Sequence, residues 1–295
     1  MDEGIDADDA YLLPTARGRW AYDWSHRRHP MVHPLRSPAG DVLTVDGPAD
    51  HPWHHALWFA IKFVNGENFW EEYDAYGVTR HVAPPEVTAS SVTGRLEWIR
   101  PDRSTVVLRE RRRLVHVPID DDTYAIDWDI ELVAAVDVLL DRTPFDHWGG
   151  YGGLTLRGRP DWHDTRLTGP DGDHGLRALG VRAPWCDLTG EVAETGRSAG
   201  VLVLDHPDNP SYPTPWYATT RSSAYGDEGW SNFLCAAFLW DGPQTVGAGE
   251  ALSVRHRVIV HDGTWLAARC QHEHERWVAH GALREESGTF VSPST

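Results

Sequence analysis

The chain has 295 residues, of which 41% are hydrophobic and 24% charged, enough to bury a sizeable core in a globular protein. Its 27 Lys and Arg against 44 Asp and Glu give a formal net charge of −17, which argues against a nucleic-acid partner or an anionic membrane, because both need a basic face. The 15 Trp, several beside His or Pro, are of interest because flat indole faces can stack on the apolar side of sugar rings.

The N-terminal segment, residues 1–20, is acidic and lacks the apolar stretch of a signal peptide. Nowhere does the chain approach the ~18–20 consecutive apolar residues of a membrane-spanning helix. The three cysteines are far apart and odd in number, so neither a disulfide framework nor a zinc knuckle is indicated. These features predict a soluble, cytoplasmic protein with no membrane partner.

The first chemically unusual segment is DHPWHHALWF, residues 50–59, with three histidines within five positions. Three interpretations stay open: a divalent metal site, a metal-free acid–base site of His and carboxylate, or a structural loop. The apolar run ALWFAIKFV that follows fits either a short helix or a strand. The expected roles are substrate contact for His51, Trp53 and His55, and catalysis or metal binding for His54.

Much of the remaining chain alternates apolar and polar residues, or is rich in Val, Ile and Leu between turn signals, which is typical of antiparallel strands. The clearest strand-bearing segments are residues 94–100, 104–118, 123–140, 198–210, 232–240 and 251–263. Within the second of these, the basic run RERRRLV (109–115) is expected to form a solvated, ion-paired strand face.

The segment GGYGGLTLRG, residues 149–158, has four glycines in five positions, which suits sharp bends and close backbone approach. It is not followed by Lys-Ser/Thr or by a helix, so it is not a phosphate-binding loop, and no nucleotide cofactor is expected. Arg157, on the strand that follows, is predicted to be catalytic by orienting substrate or stabilising an oxyanion. The alternative is an Arg paired with a carboxylate.

A proline-rich segment, DHPDNPSYPTPW at residues 205–216, contains four prolines and two aromatic residues. Such a stiff loop could form the wall of a ligand pocket or a crossover between sheets. We expect His206 to act at the catalytic site by orienting substrate. Asn209 and Trp216 are expected to contact the substrate, Trp216 by stacking on a ring.

One helix is predicted, at about residues 264–281, because good helix formers fill the stretch between Gly263 and Gly281, with Gly281 as the C′ residue. Residues 284–295 are expected to be a frayed tail. The chain is therefore predicted to be a single domain, 1–295, of the all-β class. The architecture would be a large two-sheet antiparallel sandwich with the helix packed outside.

Histidines and carboxylates near the ends of other strands could complete a site with the His-rich loop. A metal site in a β-protein usually draws its ligands from several strands. The predicted cluster, acting as ligands of a divalent metal ion or as acid–base groups, is His54, Glu72, His81 and His147.

The stretch from Pro34 to Trp70, with DHPWHHALWF and VNGENFW, resembles the opening signature of the soluble PmoA-like family, usually labelled methane oxygenase PmoA. The later matching pieces are Gly77, His81, YGGLTLR ending at Arg157, the loop from Asp205 to Trp216, and the closing strand up to Gly263. The resemblance covers roughly residues 17–280. At Trp53 and His55 the chain departs from the family pattern, so the roles predicted for these two residues do not come from the resemblance.

A membrane methane oxygenase needs transmembrane helices, so the label is not expected to describe the activity. The resemblance implies a protein that occurs beside sugar oxidoreductases of the Gfo/Idh/MocA kind. The closing strands are also similar to the galactose-mutarotase-like supersandwich, a carbohydrate-active fold.

Together these features favour a carbohydrate-active enzyme that cleaves or hydrates a glycoside C–O bond. One form of that reaction is metal-assisted β-elimination from a 3-keto-glycoside. A metal-free aldose epimerase of the mutarotase type and a non-catalytic sugar-binding protein stay open as alternatives. The expected partners are a small carbohydrate substrate and a sugar oxidoreductase acting alongside, and the expected cofactor is a divalent metal ion.

Overall fold

The computed structural model describes residues 10–12, 18–24, 29–145, 149–175, 177–220 and 232–287. Within these ranges the chain is built of strands followed by the helix α1, Ala267–Ser287. The first eleven strands are β1 Ala10–Leu12, β2 Trp20–Asp23, β3 Met31–Leu35, β4 Leu57–Ala60, β5 Phe63–Val64, β6 Glu67–Asn68, β7 Val78–His81, β8 Glu86–Val87, β9 Ser91–Ile99, β10 Val106–Asp120 and β11 Thr123–Ala134. The others are β12 Val138–Asp141, β13 Gly153–Arg157, β14 Trp162–Gly169, β15 Gly172–Gly175, β16 Arg177–Arg182, β17 Trp185–Val192, β18 Arg197–Asp205, β19 Pro215–Thr219, β20 Phe233–Ala236, β21 Gln244–Val246 and β22 Ala251–Asp262.

The strands form two large sheets and one small sheet. The first sheet has the order β1-β2-β3-β4-β13-β20-β19-β16. The second has the order β15-β14-β17-β18-β22-β11-β10-β9-β7, with β8 paired to β9, and the third has the order β21-β12-β5-β6. All the strand pairings in these sheets are antiparallel.

Strand alternation divides the side chains of the first sheet between two faces. In β4, Leu57 and Phe59 join a central core shared by the sheets, whereas Trp58 and Ala60 lie in a separate cluster on the other face. This second cluster, which includes Tyr217, gives the first sheet an apolar, aromatic outer face. The members of this cluster are buried, and the partly buried Trp53, Tyr151 and Trp240 pack against it.

The helix α1 covers the outer face of the second sheet. Its Cys270 and Trp277, with the preceding Trp265, pack against Leu204 of β18 and Ile259 of β22. The two outer faces of the sandwich are therefore different: one is covered by a helix, and the other carries aromatic side chains.

The predicted all-β class, the large antiparallel sandwich and the C-terminal helix are confirmed, and the third small sheet is an addition. The apolar run after the His-rich loop is a strand, β4. No helix in the described part of the chain has the length and apolar character needed to cross a bilayer.

The predicted bounds of the helix are wrong at its C-terminal end. It continues through Gly281 to Ser287, so Gly281 is not a C′ residue and residues 284–287 are not part of a frayed tail. A glycine inside a helix costs only about 1 kcal/mol, and the good helix formers Ala282 and Leu283 follow it directly. Residues 288–295 lie outside the described residues.

The basic run 109–115 is not simply a solvated face. Arg109 and Arg111 are exposed, but alternation turns Arg112 inward, where it is only 1% exposed. Its Nε donates to Oε1 of the buried Glu110 at 2.6 Å, and Trp98 Nε1 donates to Oε2 of the same carboxylate at 2.8 Å. The run therefore supplies a buried ion pair to the core.

The glycine-rich segment allows a close backbone approach between β13 and β20. Gly153 has φ of +135°, and a Cβ there would lie 2.1 Å from the carbonyl oxygen of Ala236.

We expect Gly153→Ala to lower the free energy of unfolding by about 3 kcal/mol, because backbone strain and a backbone clash act together. Gly172→Ala is the matched control: φ is +116°, but nothing lies within 4 Å, so only the strain remains, about 1 kcal/mol. Equal losses for the two variants in urea unfolding would contradict this explanation.

Candidate functional site

The outer face of the first sheet carries a connected row of aromatic rings. From the His-rich loop, Trp53 lies 5.2 Å from Tyr73, measured between ring centroids. Behind them, Trp58 lies 5.4 Å from Trp70, which in turn lies 4.9 Å from Tyr151. We call this set, continued by Tyr217, Phe233 and Trp240, the aromatic face. Tyr73 is 52% exposed, so the face reaches solvent at the His-rich loop.

Two tight turns bring the histidines of the loop together. The backbone N–H of His51 donates to Pro48 O, and that of His54 donates to His51 O, each at 3.0 Å. The turns place the imidazole of His51 over that of His54, with centroids 4.6 Å apart and planes inclined by 22°. His51 and His54, three residues apart in sequence, thus form a stacked pair beside the aromatic face.

Asp50 connects Arg157 to His51. Arg157 ends β13 and is buried, and its Nη2 donates to Asp50 Oδ2 at 2.6 Å. The same oxygen lies 3.2 Å from His51 Nδ1. Burial raises the pKa of Asp50, but the hydrogen bonds from His51 and Arg157 outweigh it and lower the pKa to about 2. An ionised carboxylate can only accept, so His51 Nδ1 carries the proton that it shares with Asp50.

His54 is held as a neutral imidazole. Its Nδ1 accepts from Arg157 Nη1 at 3.2 Å, since a guanidinium can only donate. Burial is the main cause that lowers the pKa of His54 well below its usual value, and the charge of Arg157 lowers it further. Because Nδ1 is the acceptor, the ring proton of His54 is on Nε2.

His55 is a buried cation between two carboxylates. Its Nδ1 lies 2.8 Å from Asp46 Oδ1 and its Nε2 lies 3.1 Å from Glu72 Oε1. Burial lowers the pKa of His55, but the bonds to Asp46 and Glu72 prevail and raise it to about 9. The neighbouring His29, with its ring centroid 5.8 Å away, has a pKa lowered to about 4, chiefly by burial, and stays neutral. The contact with His55 thereby fixes Glu72 in position.

This arrangement makes stability depend on pH. The folded-state pKa of His55 exceeds its ordinary value of 6.5, so its charge stabilises the fold fully below pH 6.5, and that contribution is lost as the pH rises through 9. The difference corresponds to about 3 kcal/mol. We expect urea unfolding of the wild type to lose about that much more free energy between pH 6.5 and 9 than unfolding of His55→Gln, which cannot titrate. Parallel pH profiles for the two proteins would show that His55 is not a buried cation.

A second buried ion pair lies beside Tyr151. Lys62, between β4 and β5, is bonded to Glu71, and both side chains are buried. Burial lowers the pKa of Lys62, against the opposing effect of Glu71. Burial, together with the nearby Glu71, raises the pKa of Tyr151. The segment is oriented by Asn68, whose Oδ1 accepts from the backbone N–H groups of residues 70 and 71.

Several predicted site residues do come together. Arg157 lies against His54, His51 stacks on His54, Trp53 contacts both rings, and Glu72 is joined to the cluster through His55. Arg157 is both buried and paired with a carboxylate, which was the alternative expected for it.

His81 and Trp216 lie elsewhere, in the layer between the large sheets. His81 Nε2 is 2.8 Å from the hydroxyl of Tyr22, a member of the central core. Trp216 packs in that core, with Nε1 donating to Ala183 O at 2.9 Å. Alternation along β19 puts Trp216 inward and its neighbour Tyr217 on the aromatic face, so Trp216 does not join the His-rich loop.

His206 and Asn209 belong to the side of the sandwich that α1 covers. The ring of His206 packs edge-on against Trp277 of α1 at 5.2 Å. Asn209 Nδ2 donates to Asp205 Oδ1 at 2.7 Å, and Asn209 Oδ1 accepts from the backbone N–H of Arg255 at 2.7 Å. The proline-rich loop is therefore anchored to the second sheet, and the structure does not bring His206 and Asn209 together with His54. His147 lies outside the described residues.

The described members of the predicted metal cluster do not suit a cation. Arg157 occupies Nδ1 of His54 with a positive charge, and His81 lies in a different layer from His54 and Glu72. Among the residues that the structure describes, no group of three His, Cys, Asp or Glu could hold a metal ion.

Sequence reasoning missed Lys62, Tyr151, Tyr217 and Trp240 as members of the site. A signal existed for Lys62, since a charged residue inside the apolar run WFAIKFV needs a buried partner. The alternation within PWYAT could also have separated Tyr217 from Trp216.

Comparison with known proteins gives one family. A model described as a family of unknown function, DUF6807, matches residues 15–275, most of the stretch expected from the resemblance, and its description does not carry the PmoA name. A search of curated proteins finds no match.

Two solved structures show distant likenesses. A galactose mutarotase related enzyme from Lactobacillus acidophilus aligns over 85% of this chain and 97% of its own, at 10% identity and a TM-score of 0.41. A structure described as "Putative kojibiose phosphorylase from human microbiome" aligns over 68% of this chain and 21% of its own, at 9% identity and a TM-score of 0.32. Similarities at this level carry no argument about the present chain.

Proposed function

The chain belongs to the DUF6807 family of unknown function, and we propose that it is a carbohydrate-active enzyme that uses His51 and Glu72 as proton-transfer groups without a metal ion. One observation carries the proposal. An imidazole and a carboxylate, each fixed by a partner, both reach solvent beside the aromatic face. The side chains of His51 and Glu72 are 20% and 19% exposed, while Arg157 and His55 behind them are buried.

Trp53 supplies the substrate platform between these two groups. Its ring lies 5.3 Å from His51 and 5.2 Å from Tyr73, the residue that follows Glu72. A sugar ring stacked on Trp53 would place its C–H and C–O bonds near both groups, as proton transfer requires. Trp53 and His51 thus keep the substrate-contact roles expected for them, and His51 gains a catalytic one.

The reaction we propose is cleavage of a 3-keto-glycoside by β-elimination. The carboxylate of Glu72 removes the C2 proton, which the neighbouring ketone acidifies. The electron pair of that C–H bond forms the C1–C2 double bond as the C1–O bond breaks. The departing alcohol oxygen takes a proton from the imidazole of His51, which the hydrogen bond to Asp50 holds in position. The products are an unsaturated keto sugar and the free aglycone.

The charges at the site favour an uncharged carbohydrate. Arg157 is paired with Asp50, Lys62 with Glu71, and His55 with two carboxylates. These cations of the described site are therefore already paired with carboxylates. A site of this kind does not favour the negatively charged phosphate group of a sugar phosphate. A keto-glycoside of this kind would be supplied by a reaction that oxidises a secondary hydroxyl, consistent with a sugar oxidoreductase acting alongside.

The test uses chromogenic glycosides and their 3-keto derivatives, with and without a chelator. We expect aglycone release from the keto compounds alone, at a rate that the chelator does not change. Absence of release from both classes by the folded protein would overturn the proposal, as would activity that is lost with chelator and restored by a metal ion.

The two other candidate functions are separate outcomes of the same experiment. Faster mutarotation of a free aldose in polarimetry, without aglycone release, would indicate an aldose epimerase, which the same imidazole–carboxylate pair could serve. Tight sugar binding without any turnover would indicate a non-catalytic binding protein.

A further inference from the structure

The proposed elimination has one requirement that His51 and Glu72 do not meet. When Glu72 removes the C2 proton, the electron pair moves onto the C3 ketone oxygen, which becomes an enolate. Without a metal ion, that oxygen needs a hydrogen-bond donor, because donors aimed at developing charge contribute strongly to catalysis. Since C2 and C3 are bonded to each other, the donor must lie beside both Glu72 and the sugar on Trp53.

Tyr73 lies where this donor is needed. It follows Glu72 directly in the chain, and its ring centroid is 5.2 Å from that of Trp53, with the ring planes inclined by 71°. The two rings are therefore adjacent walls that meet at a steep angle. Tyr73 is 52% exposed, so a ligand can reach its ring from solvent. A sugar stacked on Trp53 would have Tyr73 beside it, in direct contact with the same platform.

The chain on both sides of Tyr73 is held. On one side, Glu72 Oε1 lies 3.1 Å from Nε2 of the buried His55. On the other, Asp74 has a left-handed backbone conformation with φ of +54°, which turns the chain directly after Tyr73. The base and the phenol therefore come from neighbouring positions of one anchored segment, as concerted action on neighbouring carbons requires.

The hydroxyl of Tyr73 keeps its proton. Partial burial, and then the charges of Glu71 and Asp74, raise the pKa of the Tyr73 phenol. The phenol is therefore protonated at neutral pH and can donate a hydrogen bond. Glu71 is itself bonded to Lys62, so its charge is already compensated within the protein.

From this geometry we propose that Tyr73 is a further catalytic residue, whose hydroxyl donates a hydrogen bond to the C3 oxygen of a 3-keto sugar bound on Trp53. The inference rests on the proposed function for the substrate and for Glu72 as the base. As Glu72 takes the C2 proton, the pair of the C–H bond forms the C2–C3 double bond and the C3 oxygen becomes the enolate. Tyr73 stabilises this oxygen without giving up its own proton. The C3–O double bond then re-forms as the C2–C3 pair moves to C1–C2 and the bond from C1 to the leaving oxygen breaks.

The experiment follows exchange of the C2 proton of 1,5-anhydro-3-ketoglucitol in deuterium oxide by NMR. This sugar has the ketone but no aglycone at C1, so exchange measures enolate formation alone. We expect Tyr73→Phe to lower kcat for exchange at least about tenfold with little change in KM, because the ring remains and only the donor is lost. Tyr73→Ala should raise KM as well. Tyr76→Phe is the matched control, because the ring of Tyr76 packs against Arg103 at 5.3 Å, and it should exchange at the wild-type rate.

Four results would overturn this role of Tyr73. These are wild-type exchange in Tyr73→Phe, an equal loss in Tyr76→Phe, a loss confined to KM, and a wild type that does not exchange the C2 proton. Failure of the proposed cleavage is measured separately, by aglycone release. Exchange that depends on the Tyr73 hydroxyl, together with no aglycone release from keto-glycosides, would sink the cleavage reaction and leave the role of Tyr73 standing.

Discussion

Replacing His51 with Ala is expected to lower kcat/KM for aglycone release at least 100-fold. Proton transfer by a positioned side chain contributes on the order of 10²–10⁴ to a rate, and His51 is the partly exposed imidazole whose tautomer Asp50 sets. The loss should fall mainly on kcat, because the stacking surface of Trp53 remains. Steady-state kinetics on a chromogenic 3-keto-glycoside measures it.

Two further variants separate catalysis from folding. His163→Ala removes an exposed histidine on β14, in the second sheet, and should leave kcat/KM unchanged. Asp50→Asn keeps the shape but replaces the charged hydrogen bond that orients His51 with a neutral one, so we expect a smaller loss, about tenfold. A fully active His51→Ala would remove His51 from the mechanism.

The second large effect is on stability. Arg112→Met is expected to lower the free energy of unfolding by about 3–5 kcal/mol, the usual cost of leaving one partner of a buried ion pair uncompensated. Glu110 is almost as buried as Arg112, and Arg112 Nη1 also donates to Pro30 O at 3.0 Å. Urea unfolding monitored by Trp fluorescence measures the change.

Neighbouring residues of the same strand provide the controls. Arg111→Met changes an exposed arginine one position away and should shift the unfolding free energy by no more than about 0.5 kcal/mol. Replacing both partners, as in Arg112→Met with Glu110→Leu, should recover much of the loss, because no unpaired charge stays buried. Equal effects of Arg111→Met and Arg112→Met would show that the pair is not buried in solution.

The fold class could be predicted because alternation is a local property. Long runs such as β10 and β11 carry the period of two in their own residues, and this is sufficient to predict antiparallel sheets. The break between β11 and β12 was missed because the apolar pattern continues across it. Which sheet each strand joins depends on pairings between distant residues, as in the register of β4 with β13.

The candidate site could be predicted only in part, for the same reason. The histidines of residues 50–55 were identifiable because they are adjacent in sequence. Their partners are not: Arg157 is 107 residues from Asp50, and nothing local indicates that the end of β13 lies beneath the loop. His206 was misplaced because its sequence neighbourhood shows a polar, stiff loop but not which sheet anchors it.

The most direct test of the central claim is kcat/KM of chelator-treated protein on a 3-keto-glycoside, measured for the wild type, His51→Ala, Glu72→Gln and the double variant. We predict that the wild type is active and that each single variant loses at least 100-fold in kcat/KM. The double variant should have a kcat/KM only slightly below that of the less active single variant, because the two groups act in one step. An inactive chelator-treated wild type that metal restores, or a double variant as active as the wild type, would contradict the account.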